Sequence, residues 1–191
     1  NAIDGVHGSS FINYEIHSEG LRTYANGDAY EGELHSSLPH GSGTLHYADG
    51  GSLHSNWISG HAEGMATLTN ATGDVYEGPV HLSLPSGEGV WNGADGSKYV
   101  GAFENGLRHG KGKLVLSDSG VMEGSWREGN LHGQCEVTSK AGYRYLGQYA
   151  NGLREGRGMA REPDGSIYDG EWRSDQRWGE GKWLAPANAS P

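Results

Sequence analysis

Large apolar residues in this chain alternate with small ones over short runs. In Tyr99-Val100-Gly101-Ala102-Phe103, residues 99, 101 and 103 share one side of an extended segment. Gly110, Gly112 and Leu114 keep the same period of two and mark a second strand. Between the two lies Glu104-Asn105-Gly106-Leu107-Arg108-His109, which carries an Asn-Gly turn signal. The pattern predicts a β-hairpin. Turns such as Ala94-Asp95-Gly96 and Pro163-Asp164-Gly165 lead from one hairpin to the next. No helical periodicity competes with this reading.

The hairpin recurs every 23 residues without an insertion. Its first position falls at His7, Tyr30, Leu53, Tyr76, Tyr99, Met122, Tyr145 and Tyr168. Two residues on, six of the eight units have glycine, and two further on stands Phe11, Leu34, Trp57, Val80, Phe103, Trp126, Tyr149 or Trp172. Seven units carry glycine at position twelve, from Gly41 to Gly179. A fixed period of this length means a stacked array. The expected fold is all-β: an elongated solenoid of consecutive antiparallel hairpins forming one twisted, curved sheet. The array is expected over residues 7–183, between an N-terminal flank (1–6) and a C-terminal tail (184–191). Sixteen strands spaced about 4.8 Å apart would make a rod on the order of 75 Å long. Glycines emptied in register with aromatics suggest that rings of one hairpin lie across the glycines of its neighbour.

Composition agrees with a stack. Only 34% of the 191 residues are hydrophobic and 34 are glycine, too little apolar material for a large central core. The single cysteine, Cys135, allows no intramolecular disulfide and fits a reducing cytosolic compartment. It occupies the fourteenth position, where six units have glycine and one has Ala66, so it reads as a small buried filler. Asn70-Ala71-Thr72 and Asn188-Ala189-Ser190 match the N-glycosylation pattern, which arises by chance in any chain of this length. No apolar stretch approaches 18 residues, and no signal peptide is recognised. The start at Asn1, without methionine, is what a piece of a longer protein would show.

The net charge of −10 is unevenly spread. Residues 1–97 hold one basic residue, Arg22, and 12 acidic ones, whereas residues 98–191 hold 13 basic and 12 acidic ones. Eight of the ten histidines lie in the acidic half. The two ends are expected to prefer different partners.

The unit Tyr99–Val121, with its Tyr-x-Gly-x-Phe-x-x-Gly-x-x-x-Gly-x-Gly pattern, closely resembles the MORN (membrane occupation and recognition nexus) repeat. The segment from Tyr145 to Gly158 does so as well. The resemblance runs from about His7 to Trp183. It implies a scaffold that organises cytoskeletal structures, cilia or membrane junctions. It also admits an accessory module beside a lysine methyltransferase or phosphoinositide kinase, and a rod that dimerises end to end. Several units depart from the pattern. The first has His7 and Ser9, and the third has Leu53 and Ser55. The second and fourth share Ser37-Leu38-Pro39 and Ser83-Leu84-Pro85, where proline is expected to replace the glycine-containing turn. The acidic half has therefore either lost a generic groove or gained a partner of its own.

Catalytic chemistry finds no footing. The recurring Gly-x-Gly is followed by no Lys-Ser or Lys-Thr and opens no helix, so it is no phosphate loop. Cys135 and His132 lie three apart in a strand and point to opposite faces. His35, His40, His46, His54, His61 and His81 fit no zinc spacing, and neither metal nor cofactor is expected. Nucleic acid is disfavoured by the missing net basic surface.

These readings converge on a non-enzymatic scaffold, cytoplasmic and associated with cytoskeleton or membrane, that binds a protein along an aromatic groove. Tyr99, Phe103, Trp126, Tyr145, Tyr149, Tyr168 and Trp172 are the expected lining. Trp172, Trp178 and Trp183, at an open sheet end, are the expected homodimer contact. The alternatives are a phosphoinositide-binding tether, with Arg108, Lys111, Lys113, Arg154 and Arg157 as headgroup contacts, and an accessory module of an enzyme.

Overall fold

The computed structural model describes residues 17–186. Its strands are β1 (His17–Thr23), β2 (Ala29–His35), β3 (Leu38–His46), β4 (Ser52–Ile58), β5 (His61–Thr69) and β6 (Val75–His81). They continue as β7 (Leu84–Pro85), β8 (Gly87–Asn92), β9 (Lys98–Glu104), β10 (Leu107–Val115) and β11 (Val121–Arg127). The last are β12 (Asn130–Thr138), β13 (Arg144–Ala150), β14 (Leu153–Arg161), β15 (Ile167–Arg173) and β16 (Gln176–Leu184). All pair antiparallel in chain order into one open sheet, with β7 set beside β6. The all-β array of hairpins is the observed fold. Sixteen strands are also the expected number, but β7 and β8 divide one expected strand. The first strand of the first unit, with His7, Ser9 and Phe11, lies outside the described residues.

Both turn types follow from backbone geometry. Each hairpin tip is a two-residue loop with both residues at positive φ, as at Asn105 (50°) and Gly106 (80°). This is the turn whose twist matches paired strands. Ser36-Ser37 and Leu82-Ser83 adopt it too, so proline does not replace the turn. Pro39 and Pro85 instead stand second in β3 and β7, opposite Leu34 and Val80. There they need no N–H, because the residue facing them from the following tip is Gly60 or Gly106. Where that following residue has an acceptor, the N–H is kept and used: Ala62 N donates to Ser83 Oγ and Arg154 N to Asp175 Oδ1, both at 2.9 Å. Adjacent tips are further joined by backbone bonds such as Gly106 N to Pro85 O and Gly129 N to Arg108 O.

The glycine at position twelve marks a bulge rather than a gap for a ring. Gly110 sits at φ 63° where the β9–β10 register shifts between Arg108 and Gly112. A left-handed residue in a bulge favours glycine. At the opposite sheet edge, the inter-hairpin turns place Gly27, Gly50, Gly73, Gly96, Gly142 and Gly165 at positive φ, and Ser119 (73°) takes the same place in one of them. Relieving that residue gives a simple expectation. Ser119→Gly should raise stability by about 0.5 kcal/mol, since the left-handed cost to an L side chain exceeds the extra freedom of unfolded glycine. A thermal melt that is unchanged or lower would contradict this.

The core is a single layer on one face. In each unit that has the tyrosine, its ring lies over the two glycines of its own hairpin. A Cβ on Gly112 would overlap the Tyr99 ring, and Gly101 is closed off by the Tyr99 hydroxyl and the Gly112 backbone. The rings therefore cover their own glycines, not those of a neighbour as the sequence suggests. The neighbouring unit is reached by tryptophan: Trp126 Nε1 donates to Gly112 O and Trp172 Nε1 to Gly158 O, both at 3.0 Å. The tyrosine hydroxyl donates to a carbonyl three residues on, as Tyr99 does to Ala102 (3.1 Å) and Tyr168 to Glu171 (3.1 Å). In the second unit, Tyr30 also reaches His40 O at 3.3 Å.

Among the described residues, two units lack the tyrosine and fill its slot differently. In the third, Leu53 leaves room for Ala66, and Ser55 Oγ donates to Glu63 O and Met65 O. In the sixth, Met122 leaves room for Cys135, whose Sγ reaches Ser125 O at 3.4 Å and His132 O at 3.6 Å. These two carbonyls are the repeat equivalents of those Tyr30 uses. Cys135 is thus a buried filler, and burial raises its thiol pKa. Asn70 is spoken for as well, since its Oδ1 accepts the Thr72 and Asp74 N–H groups inside a turn.

Candidate binding groove

The inner face of the C-terminal half carries an open groove of about 1020 Å³. Its floor is Trp126, Tyr149 and Trp172. One wall is formed by Arg108, Arg154 and Arg177, at the tenth position of units five, seven and eight. The other contains Leu114, Met122, Val137 and Tyr143. The arginine wall follows from the hairpin register: Arg108 pairs with Phe103, Arg154 with Tyr149 and Arg177 with Trp172, so each faces inward beside a ring.

Each arginine covers aromatic faces. The Arg108 guanidinium stands 4.6 Å from the Trp126 ring centre, Arg154 4.2 Å from Trp172, and Arg177 4.3 Å from Trp183. Such stacking contributes about 0.5–2 kcal/mol, most where water is excluded. The rings meet edge to face, as in Tyr99 with Trp126 (5.4 Å) and Tyr145 with Trp172 (5.3 Å). Burial pushes the phenols of Tyr99 and Tyr145 up to about 12, although Arg108 and Arg154 pull in the opposite direction.

The arginines differ in their partners. Arg154 pairs with Asp175 (3.0 Å), donates to the Tyr143 hydroxyl (2.6 Å) and to Asp175 O (2.9 Å). Burial lowers its pKa, but these partners more than compensate and leave it raised. Arg177 pairs with Glu162 at 2.6 Å. Among the described residues Arg108 donates only to Gly129 O (3.1 Å), and burial lowers its pKa.

The expected groove residues divide by depth. Trp126, Tyr149 and Trp172 form the floor, whereas Tyr99, Tyr145 and Tyr168 lie in the layer that supports it. Phe103 lines a separate apolar notch of about 270 Å³ with Trp91, Leu107 and Arg108. Of the expected self-association residues, Trp172 is 4% exposed and belongs to the core. Trp178 and Trp183 are 56% and 53% exposed on β16, whose residues are exposed throughout.

The five headgroup candidates do not form one patch. Arg108 and Arg154 line the groove, while Lys111, Lys113 and Arg157 lie on the opposite face. There Lys113 is paired with Glu123 at 2.9 Å. Among the described residues no group of three or more His, Cys, Asp or Glu side chains is placed to hold a metal ion. His81 and His109 instead contact Glu63 and Glu104, each at 3.1 Å. No helix of the described residues is long and apolar enough to cross a membrane. Sequence reasoning overlooked Arg177, Tyr143 and Val137 as groove residues. The available signal was the tenth position, which changes from Pro39, Ala62 and Pro85 to Arg108, Leu131, Arg154 and Arg177 along the chain.

Comparison with known proteins places this geometry in a family. The MORN repeat model matches residues 9–29, 30–52, 99–121, 123–142, 145–167 and 168–187, more than half of the chain. The chain belongs to the MORN-repeat family. Residues 53–98 fall outside those matches, yet the sheet runs through them unbroken from β4 to β8. A search of curated proteins finds no match. Among solved structures, the chain is similar to the TCP domain of Drosophila melanogaster SAS-4 in complex with a proline-rich motif of Ana2. Identity is 10% and the TM-score 0.42, over 87% of this chain and 96% of that one. It is also similar to the TCP10 domain of Danio rerio CPAP in complex with a STIL peptide, at 12% identity and a TM-score of 0.33, over 82% and 83% of the two chains.

Proposed function

We propose that this chain is a non-enzymatic scaffold that binds a segment of another protein along the groove between Arg108 and Arg177 and self-associates through β16. Its setting is a cytoskeletal or membrane-associated structure in the cytoplasm. The observation that carries the reading is the groove itself: an aromatic floor, an arginine wall and an apolar wall, open along one face. Such sites combine apolar contact area with a few placed polar groups. The exposed Trp178 and Trp183 on the last strand, beside an unpaired edge, support the self-association.

The phosphoinositide reading has less support, because its five cations are divided between two faces and most have protein partners. The groove reading is tested by proximity labelling with two matched variants. Val137→Arg charges the groove, and Leu146→Arg charges the exposed opposite face. Partners recovered by the unmodified chain should disappear with the first and persist with the second. Equal partner sets for both would overturn the groove reading. For self-association, light scattering should give twice the 20.4 kDa chain mass, returning to one chain in Trp178→Ser/Trp183→Ser. A mass near 20.4 kDa at every concentration would remove the dimer.

A further inference from the structure

The repeat supplies its own control for the arginine wall, and one arginine stands apart. Arg154 is neutralised by Asp175, 21 residues later, and bonded to Tyr143, 11 residues earlier. Arg177 is neutralised by Glu162, 15 residues earlier. At the same offsets from Arg108 the chain has Gly129, Ser97 and Gly93. None of the three carries a charge. Arg108 has no carboxylate partner among the described residues; it contacts Gly129 O and the faces of Trp126 and Tyr99. It is half-buried, so its charge is partly removed from water without a counter-ion.

Arg108 also stands at a junction. It lines the main groove beside Trp126 and Asn130, and it lines the apolar notch with Trp91, Phe103 and Leu107. A guanidinium in such a place binds a carboxylate in forked geometry, while the notch takes an apolar side chain next to it.

Resting on the groove reading above, we propose that the occupant is an acidic peptide segment of a partner protein, with an Asp or Glu carboxylate on Arg108 and an adjacent apolar side chain in the Trp91–Phe103–Leu107 notch. The charge arithmetic of the site favours this occupant. Among the charged groove residues, Arg154 and Arg177 are balanced by Asp175 and Glu162, and the single excess cation is Arg108. An anionic membrane would meet a single uncompensated cation among the described groove residues, too few at about 1 kcal/mol per charge to hold the chain on a surface.

The test uses the full chain and an array of seven-residue peptides. Each peptide has Asp, Glu, Asn or Gln at its centre, with varied aliphatic and aromatic neighbours. The expected result is selection of Asp and Glu over their amides by about tenfold or more, the effect of one charge-assisted pair. Two variants should erase that preference. Arg108→Gln removes the cation. Gly129→Asp supplies the internal carboxylate that Arg154 already has; Asp175 shows that aspartate tolerates this turn position, and nothing lies within 4 Å of a Cβ at Gly129. Both variants should stay folded at the assay temperature with melts a few degrees below the parent, because Arg108→Gln loses its ring stacking and Gly129→Asp puts an L side chain at φ 83°.

Carboxylate selection that survives both variants would overturn the proposal. So would selection of apolar peptides with no acidic preference, which leaves the groove reading intact. Binding of no peptide by the parent chain would sink the groove reading as well. Phosphatidylcholine vesicles doped with phosphatidylinositol bisphosphate form the second arm. Pelleting that depends on Arg108, without peptide selection, would replace the peptide by a lipid headgroup.

Discussion

Gly158→Cys is expected to destabilise the stack by about 3–5 kcal/mol, and Tyr145→Met in the same chain is expected to restore most of that loss. A Cβ on Gly158 would overlap the Tyr145 hydroxyl and ring. The ring has no free volume to move into: Tyr145 is fully buried, with Tyr149 and Trp172 edge-on against it at 5.3 Å. Forcing it out also breaks its bond to Gln148 O. Tyr145→Met alone removes the phenol and leaves a cavity, at a cost of about 2–4 kcal/mol. The pair reproduces the arrangement already present in the sixth unit, where Met122 and Cys135 share the slot. Urea unfolding of the parent, both single variants and the pair forms a double-mutant cycle. A pair no more stable than the sum of its two losses would show that the slot is not filled jointly.

Alkaline pH is expected to unfold the protein between pH 10 and 12. The buried phenols of Tyr76, Tyr99 and Tyr145 are pushed up to about 12 from 10.0, chiefly by desolvation. Their folded-state proton affinity exceeds that of the unfolded chain. The stabilisation is therefore complete below pH 10 and is lost as pH rises towards 12. Each such phenol corresponds to about 2.7 kcal/mol, and three together are comparable to the stability of a whole domain. Their hydroxyls sit at part-buried positions, so solvent screening makes this figure an upper bound. Tyrosinate absorbance and far-ultraviolet circular dichroism should change together in one transition. Full ionisation with an intact β-sheet signal would contradict this origin.

Period and alternation were enough to reveal the hairpins, because each is specified within 23 residues. Asn105-Gly106 announces its turn, and Tyr99-x-Gly-x-Phe announces its inner face. What stayed hidden were relations between positions that look equivalent. The twelfth-position glycines serve a bulge and those at positions three and fourteen make room for a ring, yet all read alike as glycine. Ser36-Ser37 and Leu82-Ser83 turn as Asn-Gly does without its sequence signal, because pairing on both sides imposes the conformation. The groove was legible as an aromatic face, but not its depth. Tyr99 and Trp126 both belong to the inner face, and only packing assigns one to the supporting layer and the other to the floor. Likewise, Arg108 and Lys111, three residues apart in one strand, fall on opposite faces by simple alternation, and only the packing shows which of the two faces carries the groove.

Because each hairpin is held chiefly by the one before and the one after, the array acts as a ruler. Inserting one complete unit would lengthen it by about 10 Å, two strand spacings, while leaving the contacts at both ends unchanged. The distance between the acidic end and the groove is thus counted in repeats. Duplication or loss of a single unit would reset the spacing of whatever the two ends hold apart, without redesigning either grip.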